Sequence, residues 1–425
     1  MKVLFVTLVE AGSGETITAL HMAEKITERG GRVFFLASAF ARRFIKEKFP
    51  DAVQEFTSDG DWNRAAWDAS LRDFRPDGIV FADYPLLFFT SGTCPLSNKD
   101  EWVRSLAEVD ACLITLDHTG FAQQGKGMFF GPPHLSFHYE EWPAIPEQMH
   151  VLLPCPMNEP SLLTWRKGQP FRYWDLPLTI DTKQRRKVRQ RYLEHEEDYL
   201  VFHSIPNWAW QIAQGYGIPY HLFLPEILEY YLADLPRPVT VISVNKGDTL
   251  KQPTDSKIRI INLSSLPKTE YEALLFSSDL MITENKISIS MGKAICGLLP
   301  CVVLSNSYRY RDLLRRLKGK LRQVVTAMEM RRPGAVYPYE IFPQGTEELE
   351  QIGLYHDNSI TRGFRELEIY GEDETRHELY RLLTDEATRD ALRAEQHAYV
   401  SKVQRLDDVD EVLRRLIEGR GNGHE

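Results

Sequence analysis

The sequence predicts an α/β protein made of two doubly wound, Rossmann-like domains, and three observations carry that prediction. A chain of 425 residues exceeds one core of ordinary size and divides into two domains of roughly 150 to 200 residues. Each half opens on a short apolar run ending in a polar turn, residues 3–9 in the first and 199–204 in the second, as a buried parallel strand does. Residues 277–306 then read as a complete strand, turn, helix, turn and strand. In that stretch the apolar runs 280–283 and 301–304 flank one short helix. The helix starts after the polar turn Glu284-Asn285-Lys286, with Ser288 and Ser290 as candidate caps, and stops at Gly297 before Pro300.

In the first half, Ala11-Gly12-Ser13-Gly14-Glu15 is the turn after the first strand. Residues 17–29 form a helix with Ile17, Leu20, Ala23 and Ile26 at helical spacing. Gly30-Gly31 stops it, and residues 32–37 are the next strand. The turn matches a dinucleotide-binding loop only in part: Gly12 and Gly14 are present, but Ile17 occupies the third glycine position and Glu15 would repel a pyrophosphate. Arg75-Pro76-Asp77 leads into a strand that ends at Asp83, and residues 111–116 form another that ends in Asp117-His118. Ligands gather at such carboxyl ends. Neighbours on an extended chain point to opposite sides, so one of Asp117 and His118 is expected to face a cleft. Residues 129–177 are rich in proline and aromatics with little periodicity, and read as a binding loop followed by a linker.

In the second half, residues 183–194 are a strongly basic helix whose acidic neighbours mark it as a solvated face. Strands follow at 199–204, 240–244 and 257–263, with a helix at 271–275. A short strand and turn are expected at 339–345, and helices at 376–383, 386–403 and 409–417. The expected domains are 1–170 and 199–405, joined by a linker at 171–198 and followed by a helix and tail at 406–425.

Composition excludes several classes. Fifty-one cationic against sixty anionic residues leave a net charge of −9, so no basic domain is available for nonspecific nucleic-acid binding. The five cysteines, Cys94, Cys112, Cys155, Cys296 and Cys301, are odd in number and lack the paired spacing of a zinc site, which suits a reducing, cytoplasmic setting. The apolar opening is too short for a signal peptide, and no run approaches the ~20 residues of a transmembrane segment. No Asp-x-Asp metal motif sits at a strand end.

Asp279-Leu280-Met281-Ile282-Thr283, a polar loop, and then Ala294-Ile295-Cys296-Gly297-Leu298-Leu299-Pro300-Cys301-Val302-Val303-Leu304 resemble the nucleotide-sugar donor segment of the GT-B glycosyltransferases, of UDP-glycosyltransferase type. The resemblance implies two Rossmann-like domains facing each other across a cleft, with C-terminal helices crossing back to the first. It implies a metal-independent transfer of sugar from a nucleoside-diphosphate sugar, the co-substrate, to a small-molecule acceptor, with no other cofactor. It assigns donor binding to His203, Ser204, Ser265, Leu266, Asn285, Lys286, Ser288, Ile289, Ser290 and Lys293. Capping of the following helix is the alternative role for His203 and Ser204. Gly12, Ser13 and Gly14 become the acceptor loop. Glu15 stands where many members carry a catalytic histidine and is the candidate base, with Asp117 or His118 as alternatives; its plain alternative is a helix-start charge. Two departures stand out: Glu284-Asn285-Lys286 replaces a glycine-rich turn, and Gly292-Lys293 occupies the region where many members place a ribose-binding glutamate. An epimerase or hydrolase of the same fold, and a catalytically silent nucleotide-sugar-binding protein, are the alternative functions.

Overall fold

The computed structural model describes the chain outside residues 9–13, 57–59, 85–98, 119–125, 129–138, 142–143, 163–166, 177, 206–219, 245–249, 254–256, 265, 309, 334–354, 356 and 422–425. The first sheet holds β1 (Lys2–Thr7), β2 (Arg32–Ala37), β3 (Val53–Glu55), β4 (Gly78–Phe81), β5 (Cys112–Leu116), β8 (His150–Cys155) and β9 (Gln169–Arg172). A separate antiparallel pair, β6 (Lys126–Met128) and β7 (Tyr139–Glu141), lies between β5 and β8 in sequence. The order is β3-β2-β1-β4-β5-β8-β9, parallel throughout. The second sheet orders β12 (Ile258–Leu263), β11 (Val239–Val244), β10 (Tyr199–Ser204), β13 (Leu280–Thr283), β14 (Cys301–Ser305) and β15 (Arg365–Glu368), again all parallel. Strand order reverses beside β1 in one sheet and beside β10 in the other, the crevices where doubly wound sheets bind ligands.

The apolar runs explain the burial. β1, β5, β13 and β14 are covered on both faces, as parallel strands under helices must be. In the first domain α1 (Gly14–Glu28) lays Ala19, Met22, Ala23 and Ile26 on the sheet, and α2 (Ala39–Lys46), α3 (Gly60–Phe74) and α4 (Lys99–Ala107) complete its helices. α5 (Thr182–Tyr192), α6 (Tyr220–Leu232) and α7 (Lys268–Ser277) precede α8 (Ile289–Cys296), which buries Met291, Ala294, Ile295 and Cys296. α9 (Tyr310–Arg316), α10 (Gly319–Arg331), a 3-10 turn (Ser359–Gly363), α11 (Asp373–Thr384), α12 (Glu386–Val403) and α13 (Val409–Gly421) follow.

The expected return to the first domain is present. Val409, Val412 and Leu413 of α13 belong to the same core as Val3, Phe5 and Ile26, and Arg29 bonds Asp408 and Asp410. A second junction joins the segment after β8 to the second domain. There Tyr399 donates to Asn158 O at 2.9 Å, and Asn358 Nδ2 donates to Met157 O at 2.7 Å. Glu159 accepts from the backbone N–H and hydroxyl of Ser359 at 2.7 and 2.6 Å.

Two expectations for the chain's middle are corrected. The proline-rich stretch 129–177 contains two strands of the first sheet, and β9 carries that sheet to Arg172, past the expected boundary at 170. Pro170 is tolerated because β9 is an edge strand, where a missing N–H leaves no ladder bond unmade. The basic helix α5 is not wholly a solvated face. Arg189 is buried, donating to Asp279 at 3.0 Å, to Ser277 O at 3.1 Å and to Asp198 O at 2.7 Å, and so fastens the supposed linker to the second domain. The strand expected at 339–345 lies outside the described residues.

Candidate active site

At the carboxyl ends of β10 and β13 the chain builds a closely bonded polar floor. Thr283 donates its hydroxyl to Ser204 O at 2.9 Å and accepts Asn285 N–H at 3.2 Å, pinning the turn after β13 onto the end of β10. Asn285 Oδ1 accepts from Ile287 N at 2.9 Å, and Ser288 caps α8 by accepting Met291 N–H at 3.3 Å. The helix begins at Ile289, where the first N–H groups have no intrahelical acceptor and the dipole is positive.

The side chains assigned to the donor fall into three groups. His203 is fully buried: Nδ1 lies 2.9 Å from Ser243 Oγ, and Nε2 lies 3.2 Å from the equally buried carboxylate of Glu284. It therefore holds the turn from beneath, and direct contact with a phosphate would require breaking that pair. Lys286 and Lys293 are both buried and ion-paired, Lys286 to Glu366 at 2.7 Å and Lys293 to Glu272 at 2.6 Å, with the Lys293 ammonium 5.3 Å from the Trp174 ring centre. Burial lowers the Lys293 pKa, against the opposing pull of Glu272. Ser204, Leu266, Ile289 and Ser290 are half-buried at the surface of the floor. Ser265 lies outside the described residues, as do Gly12 and Ser13.

The first domain meets this floor directly. A Cβ added to Gly14 would lie 2.7 Å from Ile289 Cδ1, so the starts of α1 and α8 touch. Glu15 is in the first turn of α1, and its charge acts on His118 at the end of β5. Burial pushes the His118 pKa down, while Glu15 and then Asp117 pull it upward; the net shift is downward and leaves a neutral ring near pH 7. Its Nε2 is buried with no hydrogen-bond partner among the described residues. Asp117 turns into the protein, and Asn158 Nδ2 donates to its backbone carbonyl at 3.2 Å. Of the Asp117-His118 pair, the imidazole is thus the member associated with Glu15.

Sequence reasoning missed Ser243, Glu272, Glu366 and Tyr271. Each acts through a partner between 19 and 80 positions away, and no spacing rule signals such a pair.

Two doubly wound domains with their strand ends opposed and a C-terminal helix returning to the first define the GT-B architecture. Solved structures share it over almost the whole chain. Glycosyltransferase VinC in complex with DTDP is 13% identical with a TM-score of 0.52, each chain covered fully. Spinosyn forosaminyltransferase SpnP is 12% identical with a TM-score of 0.53, over 99% of this chain and 100% of its own. Anabaena Alr3699/HepE in complex with UDP-glucose is 14% identical with a TM-score of 0.51, over 99% of both chains. By sequence, residues 22–421 match one family model, and the chain belongs to that family of unknown function, DUF6365. No curated protein matches it by sequence.

Proposed function

We propose that the chain is a metal-independent glycosyltransferase that moves a sugar from a nucleoside-diphosphate sugar, bound on the second domain, to a hydroxyl of a small acceptor on the first. The observation that carries this reading is the contact of the α1 and α8 starts, Gly14 against Ile289, with Glu15 the next residue of α1. The opening N–H groups of α8 and its dipole suit a diphosphate. The two lysines are already neutralised by Glu366 and Glu272, so stabilisation of the leaving group falls to the helix start and the serine hydroxyls.

In the proposed reaction Glu15 takes the proton of the acceptor hydroxyl as its oxygen bonds to the anomeric carbon. The bond from that carbon to the diphosphate oxygen breaks, and the electron pair leaves with the nucleotide.

The test is diphosphate release from UDP- and DTDP-sugars with and without a panel of hydroxylated acceptors. Acceptor-dependent release is expected, with Glu15→Gln lowering turnover by about 10² to 10⁴ while donor affinity is nearly unchanged. Turnover close to that of the parent would reduce Glu15 to a helix-start charge and move the role to His118. Acceptor-independent release would favour a hydrolase.

A further inference from the structure

After β14 the chain turns sharply basic. Residues 310–332, which hold α9 and α10, carry eight lysines and arginines against Asp312 and Glu329, a net +6 within a chain of net −9. Little of this charge is neutralised. Lys320 pairs with Glu229 at 3.0 Å, whereas Arg315 reaches Asp312 only at 4.0 Å and with its side chain 82% exposed, a contact that water screens. Glu372 takes the backbone N–H of Lys318 at 3.1 Å. Among the described residues, the exposed side chains of Arg311, Arg316, Lys318, Arg322, Arg331 and Arg332 have no ion-pair partner.

The pair of helices is fastened to the core from one side. In α10 Leu321, Val324, Val325 and Met328 are buried at helical spacing. Met330 follows Leu321 by about two and a half turns and so stands on the opposite side. There it is 80% exposed, with Ala327 also exposed on that side and Arg322 and Arg331 on its flanks. A cationic rim around an apolar centre matches the boundary between acidic headgroups and acyl chains: the guanidiniums meet phosphates while the thioether enters the apolar layer. Nucleic acid is the poorer match. Single strands stack on free aromatic faces, but the Tyr308 ring is covered by the Arg316 guanidinium at 4.1 Å and Tyr310 is half-buried. A phosphate backbone also gives Met330 nothing to bury against.

We propose that the exposed side of α9 and α10 is a docking surface for a bilayer rich in acidic phospholipid, and that it holds the second domain peripherally at such a membrane. The rest of the chain is correspondingly acidic, which turns this end of the molecule toward an anionic plane. The inference is independent of the reaction proposed above.

The experiment is co-sedimentation of the full chain with vesicles of phosphatidylglycerol and phosphatidylcholine, and with vesicles of phosphatidylcholine alone. The parent should sediment with the acidic vesicles only, and less so as salt is raised. Each cation held near such a surface contributes about fivefold in affinity, so Arg322→Glu combined with Arg331→Glu should weaken binding by more than about a hundredfold. Met330→Ser should weaken it several-fold and Met330→Trp should strengthen it, effects that a purely ionic attachment would not show. Lys183→Glu combined with Lys187→Glu, on the exposed side of α5, is the control and should leave binding nearly unchanged. Thermal melts of each variant check that the fold is kept. Binding to neither kind of vesicle or equally to both, indifference to the Met330 variants, or an equal loss in the α5 control would overturn the proposal. Tighter binding to a single-stranded or duplex oligonucleotide than to the acidic vesicles at the same salt would also overturn it, by assigning the surface to nucleic acid.

Discussion

Glu159 shows how one residue ties the two halves together. Its carboxylate accepts from Ser359 and from the backbone and hydroxyl of Ser161, and Lys402 lies 3.6 Å away. Burial pushes its pKa up, but those hydrogen bonds outweigh burial and hold it below the usual 4.5. A depressed carboxylate contributes stability that is fully present above its unfolded pKa and is lost as pH falls through the lower folded value. Glu159→Gln should therefore destabilise the protein by about 1–3 kcal/mol at pH 7. In urea unfolding that difference should shrink below pH 4.5; a difference constant down to pH 3 would mean that the carboxylate charge contributes nothing. Such pairs were beyond the sequence. Glu284 reads there only as a departure from a glycine turn, and its partner His203, 81 positions earlier, reads as a strand-end residue; only the pairing of β10 with β13 joins them. Gly14 and Glu15, in contrast, were legible as the start of a helix after a strand, because that position depends on local pattern alone.

Among elements, α5 separates composition from role. Lys183, Arg185, Arg186, Lys187 and Arg191 are exposed and fit a solvated face, whereas Arg189 one turn along is inserted beneath Asp279. Truncating a buried, fully bonded guanidinium leaves a carboxylate and several carbonyls unpaired. Arg189→Ala should cost about 3–5 kcal/mol in chemical denaturation, and Lys187→Ala no more than ~0.5 kcal/mol. Equal, small effects at the two positions would return the whole helix to the solvent. Strands 32–37, 199–204 and 280–283 were legible to the residue because each is an apolar run bounded by glycine or polar turns, and the three closing helices were legible from their spacing. β8 and β9 were not, because Pro154 and Pro170 interrupt the pattern, and the end of one strand and an edge position tolerate them.

At the level of the whole molecule, the order of elements was enough to imply two doubly wound sheets, and a resemblance in one segment implied how they face each other. The junctions that hold that arrangement, α13 on the first sheet and the Glu159 cluster, draw on residues from both ends of the chain and emerge only in three dimensions. Because the proposed reaction takes its donor from the second domain and its acceptor from the first, nucleotide binding is expected to favour a closed arrangement. X-ray scattering should show compaction on adding nucleotide, and identical curves with and without it would count against gating. Among the described residues no helix is long and apolar enough to cross a membrane. The most direct measurement is calorimetric titration of the parent chain and of Ser290→Asp with UDP and DTDP. The parent should bind one of them, and the added carboxylate at the start of α8 should weaken that binding at least tenfold by repulsion. Unchanged affinity in a folded Ser290→Asp variant, or no binding by the parent, would contradict a diphosphate site at the start of α8.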